Sequence, residues 1–275
     1  MRIILLSQDE PFYLGENLDY LLKNLPDGTE VVGAVLMEEM KAGKPEPFTD
    51  RMRKIFKVFG WAFFLHYALK FITAKVFTCH TVPKVLSRHK IPVIPITGNI
   101  NHRSNLGILK TYQPDLFVSV LGSQIFKRPL LELAKHGCLN LHTALLPKYR
   151  GLMPTFWVLR FNEQFTGVSV FFVEEGIDAG DIIVQRKVEI GNRTQEELIR
   201  YTKQIGMECI IEAIGKIQAG GYTLVPNPED EKTYFTFPTA EDVRAFKRAG
   251  KRFSSQGLLI FGTITEYTRL MNRLF

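Results

Sequence analysis

The stretch GCLNLHTALLPKYRG, residues 137–151, begins as an apolar strand and ends as a loop with two basic residues. Side chains two positions apart on a strand point to the same face, so Asn140 and His142 lie together. Leu139 and Leu141 alternate with them and point the other way. A polar pair at the end of an apolar strand is typical of the edge at which α/β sheets carry their chemistry. The sequence therefore predicts a functional site at the end of this strand.

Strand and helix patterns alternate on both sides of this stretch. Short apolar runs rich in β-branched residues predict strands at 2–6, 31–37, 92–96, 116–121, 138–142 and 167–173. Helical patterns cover 14–24, 103–112, 127–135 and 194–218, and the last begins with a capping box, Thr194 and Glu197. Continuously apolar strands are expected when helices cover both faces of a parallel sheet. We therefore expect an α/β fold, a doubly wound, mostly parallel, Rossmann-like sheet.

The domain organisation follows from the same pattern. The α/β domain is predicted over residues 1–220, and the Gly- and Pro-rich segment after it marks a small C-terminal extension, 221–275. In that extension, Thr239 is a predicted N-cap for a short helix. The first strand is followed by SQDEPFYLGENL, which lacks the G-x-G-x-x-G fingerprint and so argues against a nicotinamide-dependent dehydrogenase.

Composition places the chain among ordinary globular proteins. It has 275 residues, 45% hydrophobic and 23% charged, and an odd number of cysteines, three, without metal-ligand spacing. The first residues are too short an apolar run for a secretory signal. These features predict a cytoplasmic protein, and no metal site is expected.

A basic and aromatic insertion is predicted at about 41–79. Eleven Lys or Arg residues and two acids occur at positions 41–90, whereas the whole chain has a formal net charge of +7. Lysine and histidine side chains interrupt the apolar run within 55–72, which argues against a membrane-spanning helix. Two interpretations of residues 51–75 remain open. They form a helix packed on the sheet or in a subunit interface, such as that of a homodimer, or a basic amphipathic helix in peripheral contact with the inner face of a membrane.

A carboxylate is the expected partner of the strand-end pair. Asp178, in EEGIDAGDIIVQ, follows the last predicted strand, and loops after parallel strands converge on one edge of a sheet. Asp181 is the rival carboxylate. Asn, His and Asp without a Ser or Cys nucleophile do not fit a covalent hydrolase triad. They fit direct acyl transfer, in which Asn and a protonated His stabilise an oxyanion while Asp assists proton transfer.

The joint pattern resembles the formyltransferases that use 10-formyltetrahydrofolate. It consists of PDLFVSVLGSQIF (114–126), GCLNLHTALLPKYRG and TGVSVFFVEEGIDAGDII (166–183), and the resemblance covers roughly residues 80–220. It implies that Asn140, His142 and Asp178 are catalytic and that 10-formyltetrahydrofolate is the co-substrate. It also implies that two segments bind the folate: Leu121, Gly122, Ser123, Gln124 and Ile125, and Glu174, Glu175, Gly176 and Ile177.

The resemblance leaves the acceptor amine open. Members of the family formylate methionyl-tRNA, glycinamide ribonucleotide, hydroxamate precursors or nucleotide-linked amino sugars, and a related group hydrolyses the formyl donor. The tRNA enzymes carry a C-terminal barrel, whereas only 221–275 follows the domain here, so a nucleic-acid partner is not favoured. The favoured acceptor is an anionic nucleotide-linked or envelope amino sugar. A non-catalytic folate-binding protein is the alternative from another class.

Five further residues are candidates for acceptor binding. They are Asn99, Asn101, Lys148, Arg150 and Trp157. The asparagines suit hydroxyl groups, the basic residues suit phosphates, and the indole suits stacking on a base or sugar. The alternatives are an ordinary polar loop, simple surface charges and a core aromatic residue.

Overall fold

The computed structural model describes residues 1–38, 40–41, 44–45, 47–77 and 80–255. Parts of the predicted insertion, Cys79 and residues 256–275 of the predicted extension lie outside the described residues. Within them, the strands are β1 (Arg2–Ser7), β2 (Glu30–Leu36), β3 (Met40–Lys41), β4 (Lys44–Pro45), β5 (Leu116–Val120), β6 (Cys138–His142), β7 (Arg150–Gly151), β8 (Phe165–Phe172), β9 (Ile182–Glu189) and β10 (Tyr234–Phe235).

The helices lie between these strands and after them. They are α1 (Leu14–Lys23), α2 (Phe48–Phe59), α3 (Trp61–Phe77), α4 (Val82–Arg88), α5 (Arg103–Thr111), α6 (Arg128–Leu131), α7 (Pro154–Arg160), α8 (Gln195–Ala219) and α9 (Ala240–Arg248). The capping box predicted for α8 is confirmed, because Thr194 and Glu197 cap each other's backbone N–H groups. The Thr239 cap of α9 is confirmed as well, with Asp242 as its reciprocal partner.

Six strands form the main sheet in the order β2-β1-β5-β6-β8-β9. Strands β1, β2, β5 and β6 pair in parallel, and β8 and β9 add antiparallel pairs at one side. The predicted α/β fold with a mostly parallel sheet is confirmed.

Two local predictions are wrong. PVIPI (92–96) makes a single bridge, from Val93 to Ala34, instead of a strand. Pro92 and Pro95 lack the N–H groups that a ladder requires. Of the predicted helix at 127–135, only Arg128–Leu131, helix α6, is helical. The sequence pattern also failed to predict strand β9.

Both faces of the sheet are buried, as the apolar strands predicted. Helices α1, α4 and α8 cover one face, to which the sheet contributes Val118 and Leu139. Helices α5 and α6 cover the other face around Phe117 and Cys138. Burying side chains of this size contributes roughly 1.5–3 kcal/mol each, so the two clusters hold the sheet edge rigidly in place.

The insertion contains two helices instead of one. Gly60, with a φ of 86°, separates α2 from α3. Phe59 stacks on Phe63 with ring centroids 4.4 Å apart and packs in an aromatic cluster with α7 and α9. No helix within the described residues is long and apolar enough to span a bilayer.

Candidate active site

His142 is the last residue of β6 and is buried. Its Nε2 donates a hydrogen bond to the carbonyl oxygen of Tyr149 at 2.8 Å. A carbonyl oxygen only accepts, so this contact places a proton on Nε2 and fixes the ring orientation. The other ring nitrogen, Nδ1, lies 3.5 Å from Oδ2 of Asp178. An imidazolium donates from both nitrogens, and acceptors face both of them here.

Asp178 therefore approaches His142, as predicted, but the predicted reason is wrong. Strand β8 runs antiparallel to β6, with Ser169 beside His142, so the contact does not arise from converging ends of parallel strands. The segment between β8 and β9 carries the carboxylate to the histidine instead. Oδ2 of Asp178 also accepts a hydrogen bond from the Gly151 N–H at 2.7 Å. One carboxylate oxygen thus faces both the imidazole and a backbone donor.

Asn140 lies on the same face of β6, two residues before His142. It sits between Ser119 of β5 and Phe171 of β8. Its side chain is half-buried and makes no hydrogen bond to another residue that the structure describes. An amide at this position is available to donate to a ligand.

Left-handed backbone conformations surround this pair. Leu121, Tyr149, Met153 and Asp178 have φ angles between 49° and 59°. Such conformations are uncommon for residues other than glycine, cost of order 1–3 kcal/mol each, and cluster at functional sites. Two of these residues, Tyr149 and Asp178, contact His142, which supports a site at this edge.

The two segments expected to bind folate lie close to the pair and to each other. Leu121 follows the end of β5, which is next to the end of β6 in the parallel register. Phe126, after the first segment, and Val173, before the second, pack in the same apolar cluster. Ile125 and Ile177 expose 66% and 45% of their surfaces. Exposed apolar groups on two neighbouring loops suit a flat aromatic ligand.

The polar members of the first segment shape its loop. Gln124 accepts from the Ile100 N–H at 2.8 Å and donates to the Gly98 carbonyl at 3.1 Å. Ser123 donates to the Glu38 carbonyl at 3.2 Å. A Cβ on Gly122 would lie 2.6 Å from Oγ of Ser119, which excludes larger residues there. In the second segment Glu174, Glu175 and Gly176 are exposed.

The thiol of Cys138, in the same strand as Asn140 and His142, is not suited to covalent catalysis. Cys138 lies on the same strand face as Asn140 but is fully buried, and burial raises the pKa of its thiol. A thiolate is the reactive form of cysteine, so this side chain is a poor nucleophile. Within the described residues no three or more His, Cys, Asp or Glu side chains are grouped to hold a metal ion. The arrangement of amide, imidazole and carboxylate suits direct transfer of an acyl group.

Comparison with known proteins agrees with this geometry. Residues 84–214 match the family described as Formyl transferase, and this range includes Asn140, His142 and Asp178. The methionyl-tRNA formyltransferase of Alkaliphilus oremlandii is 38% identical over 147 residues, which are 53% of this chain and 47% of that protein. The chain spans about half the length of the curated relatives it matches.

Solved structures share the fold of this protein at low sequence identity. A phosphoribosylglycinamide formyltransferase from Bacillus halodurans has a TM-score of 0.55 and 20% identity, over 80% of this chain and 96% of that one. An N-formyltransferase from Helicobacter canadensis, in complex with folinic acid and dTDP-3-aminofucose, has a TM-score of 0.55 and 17% identity. This match covers 90% of this chain and 79% of that one.

The residues predicted to bind the acceptor fall into two groups. Asn101 accepts from the Lys127 N–H at 2.8 Å, and its amide donates to Asn99 Oδ1 and to the Ile125 carbonyl. The two asparagines therefore link two loops by hydrogen bonds. Lys148 is exposed.

Arg150 and Trp157 lie inside the protein. Arg150 is 1% exposed and pairs with Glu229, and the Trp157 indole donates to the Thr236 carbonyl at 3.1 Å. This placement gives no support to their predicted role in acceptor binding. Both residues contact the segment after residue 220.

Sequence reasoning missed the residues that hydrogen-bond to His142 and Asp178. Tyr149 and Gly151 contact it through backbone atoms, which no side-chain pattern reveals. Tyr149 also donates from its hydroxyl to Glu163 at 2.5 Å, and burial raises the pKa of this phenol. Asn227, in the extension, donates to the Asp178 carbonyl at 2.9 Å. Its signal in the sequence was only an asparagine between two prolines.

Proposed function

We propose that this protein is an N-formyltransferase that moves the formyl group of 10-formyltetrahydrofolate to a primary amine. The observation that carries the proposal is the constellation on β6. His142 faces Asp178 at 3.5 Å, and the neighbouring Asn140 amide has no hydrogen-bond partner in the described structure. Two observations support 10-formyltetrahydrofolate as the donor. Residues 84–214 match the Formyl transferase family, and the two loops next to β6 expose apolar side chains, Ile125 and Ile177.

Each residue has a distinct task in the proposed reaction. The acceptor nitrogen attacks the formyl carbon, and the carbonyl oxygen becomes an oxyanion. Asn140 donates to that oxygen, and the positive charge of a protonated His142 stabilises it. Asp178 holds the imidazolium and takes up, through water, the proton that the amine releases. The intermediate then collapses, the C–N bond to the folate breaks, and N10 of tetrahydrofolate receives a proton.

The proposed acceptor is a nucleotide-linked or envelope amino sugar. The fold neighbour from Helicobacter canadensis holds dTDP-3-aminofucose, and the basic charge of residues 41–90 suits an anionic acceptor. Methionyl-tRNA is the second candidate, because the curated relatives carry that activity in their names.

The test is a transfer assay with 10-formyltetrahydrofolate and separate acceptors: nucleotide-linked amino sugars, methionyl-tRNA and glycinamide ribonucleotide. Tetrahydrofolate release and product mass are measured for the wild type, for His142→Ala and for His102→Ala, an exposed histidine outside the constellation. A formyl adduct with one acceptor, lost only in His142→Ala, is the expected result. Release of formate without an amine would indicate a hydrolase. Donor binding without turnover would indicate a folate-binding protein.

We also propose that this cytoplasmic protein contacts the inner face of an anionic membrane through α2 and α3. Trp61, Leu65, Leu69 and Ile72 recur at the spacing of one helix face and are between 36% and 62% exposed. Arg53 and Lys57 are exposed on the adjoining helix α2. A two-fold dimer through this surface would bring like charges together, whereas anionic lipid would neutralise them.

Vesicle sedimentation tests this contact. Binding to phosphatidylglycerol vesicles, weaker binding to phosphatidylcholine and release by salt are expected, because both charge and apolar area contribute. Leu65→Gln and Arg53→Gln should each weaken sedimentation. No sedimentation with anionic vesicles, or a stable dimer by analytical ultracentrifugation that Leu65→Gln dissociates, would contradict the membrane contact.

A further inference from the structure

The catalytic pair is bridged by one short backbone segment, residues 149–151. The Tyr149 carbonyl accepts from His142, and the Gly151 N–H donates to Asp178, so this segment sets where both side chains stand. Neither contact involves a side chain of the segment. Anything that shifts this backbone shifts His142 and Asp178 relative to each other.

The C-terminal extension holds the other side of this segment. β10 pairs in parallel with β7, and the Arg150 N–H donates to the Thr233 carbonyl at 2.9 Å. The Tyr149 N–H donates to the Thr233 hydroxyl at 2.8 Å. A Cβ on Gly151, whose φ is 95°, would lie 2.2 Å from the Phe235 carbonyl oxygen. The extension and the bridging segment are therefore in direct backbone contact.

One side chain of the extension also donates hydrogen bonds to the loop that carries Asp178. Asn227 is 8% exposed, and its Nδ2 donates to the carbonyl oxygens of Asp178 at 2.9 Å and Gly180 at 3.0 Å. Its Oδ1 accepts from Nη2 of Arg150 at 2.9 Å. Asn227 thus joins the Asp178 loop to the residue at the centre of the bridging segment.

The buried guanidinium of Arg150 makes this connection necessary. Its Nη2 also donates to the Asn227 carbonyl at 3.1 Å, and Nη1 pairs with Glu229. A buried charge without partners is strongly destabilising. All three of these acceptors belong to residues 227–229, so this part of the extension completes the environment of the segment that bridges the catalytic pair.

We propose that Asn227 is a positioning residue that holds Asp178 against His142, so that the extension is part of the active site. The proposal rests on the formyl-transfer function proposed above and deepens it. Asn227 touches neither the donor nor the acceptor. It acts through the backbone carbonyl groups of Asp178 and Gly180, to which it donates hydrogen bonds. These bonds fix the loop backbone and so the direction of the Asp178 carboxylate.

Asn227→Asp is the sharpest test, because it keeps an oxygen for Arg150 and removes both N–H donors to the loop. We expect kcat to fall by about 10- to 100-fold with little change in the KM for the formyl donor, because small misplacement of a catalytic group has effects of this size. Phe246→Leu is the matched control. It removes another contact between the extension and the rest of the protein, the stacking on Phe156, without touching Asp178, and should leave kcat unchanged.

Asn227→Gln keeps the amide and should recover part of the lost kcat. Equal losses in Asn227→Asp and Phe246→Leu would show that Asn227 matters only for attaching the extension, and would overturn the proposal. If Asn227→Asp does not fold, Asn227→Ser replaces it, with the same expectation.

Crystal structures of the wild type and Asn227→Asp provide a readout that needs no substrate. The distance from His142 Nδ1 to Asp178 Oδ2 should be longer in the variant, and an unchanged distance would contradict the positioning role. Failure of the wild type to transfer any formyl group would refute the proposed function, while the crystallographic distance would still decide the role of Asn227.

Discussion

The edge around His142 and the helices α2 and α3 are stabilised by different interactions. At the His142 edge, backbone groups of the segment 149–151 hydrogen-bond to side chains from two other segments. Helices α2 and α3 are held mainly by stacked rings and leave an apolar stripe exposed. Hydrogen bonds are directional and restrict where atoms lie, whereas the burial of apolar surface is non-directional. This difference underlies the two proposals, catalysis at the first region and contact with a larger partner at the second.

Helix α8 connects the two regions. Its first turn carries Glu196, which pairs with Lys70 of α3, and Lys70 also donates to the Tyr13 hydroxyl at 3.0 Å. Nearly three turns later, a Cβ on Gly206 would lie 2.6 Å from the side chain of Leu141, in strand β6. Substitutions in the two regions and in α8 can therefore show whether a residue affects the rate of formyl transfer or the stability of the fold.

The largest effect is expected for Asn140→Ala. This variant should lose about 10²–10³ in kcat, the usual cost of removing one oxyanion donor. Its melting temperature should not fall, because the amide has no partner in the described structure. Formyl-transfer kinetics and thermal unfolding provide the two readouts. Asn24→Ala, outside the site, is the control for loss of an amide. A kcat near that of the wild type would exclude Asn140 as an oxyanion donor.

Gly151→Ala should damage both stability and activity. The added Cβ meets the Phe235 carbonyl at 2.2 Å, and the backbone is left-handed there. Strain and displacement of this kind cost roughly 3 kcal/mol. Urea unfolding and kcat should both decline. Gly107→Ala, where a Cβ would meet nothing within 4 Å, is the control. A variant with wild-type activity would show that β10 can move away without disturbing the catalytic pair.

Lys203→Met should stabilise the protein at neutral pH. Lys203 is buried in α8, and desolvation lowers its pKa from 10.5 to about 8, although Glu10 opposes the shift. A folded-state pKa below the unfolded value means that the charged lysine destabilises the fold below about pH 8. This cost disappears as the pH rises towards 10.5. At about 1.4 kcal/mol per pKa unit, the gain in the variant at pH 7 is about 3 kcal/mol.

Urea unfolding of both proteins at pH 7 and pH 10 measures this difference. The advantage of Lys203→Met should shrink at the higher pH, where the wild-type lysine is largely neutral in the folded state. A variant that is less stable than the wild type at pH 7 would show that the ammonium group makes favourable contacts that outweigh its desolvation.

Glu196→Gln should weaken the attachment of α3 with little effect on formyl transfer. Lys70 is largely buried, desolvation lowers its pKa, and Glu196 is the anion that opposes this. Leaving a partly buried cation without its partner costs about 2 kcal/mol. Thermal unfolding measures the loss. Glu212→Gln, which removes exposed ion pairs of the same helix, should cost less than about 0.5 kcal/mol. Equal losses would contradict the anchoring role.

The smallest effect on stability is expected for Leu69→Gln. Leu69 is 52% exposed on α3, and surface substitutions usually change the free energy of unfolding by less than about 0.5 kcal/mol. The same change should reduce binding to phosphatidylglycerol vesicles. A large loss of stability would show that another part of the protein covers this stripe, and would remove the main argument for a membrane contact.

Much of the fold could be predicted because the hydrophobic pattern is strong in the central strands. Strand β6, its polar pair and the capped helix α8 all follow from local periodicity and capping chemistry. PVIPI was misjudged, because its apolar residues match a strand while its prolines prevent a ladder. Strand β9 was missed because IIVQRKVE combines an apolar start with a charged end. The antiparallel direction of β8 was also out of reach, since periodicity carries no information on strand direction.

By itself, the sequence determined an α/β sheet and a polar pair, Asn140 and His142, on one face of a strand. Residue type and strand spacing are local properties, so this pair could be identified from them, whereas Asp178 was singled out by the resemblance to the formyltransferases. Only the tertiary structure decided how that site is held. It placed Arg150 in the interior, and it brought Asn227 to the Asp178 loop, 49 positions away in the chain. Such contacts depend on where the backbone turns, and a backbone hydrogen bond leaves no mark on the residue types that make it.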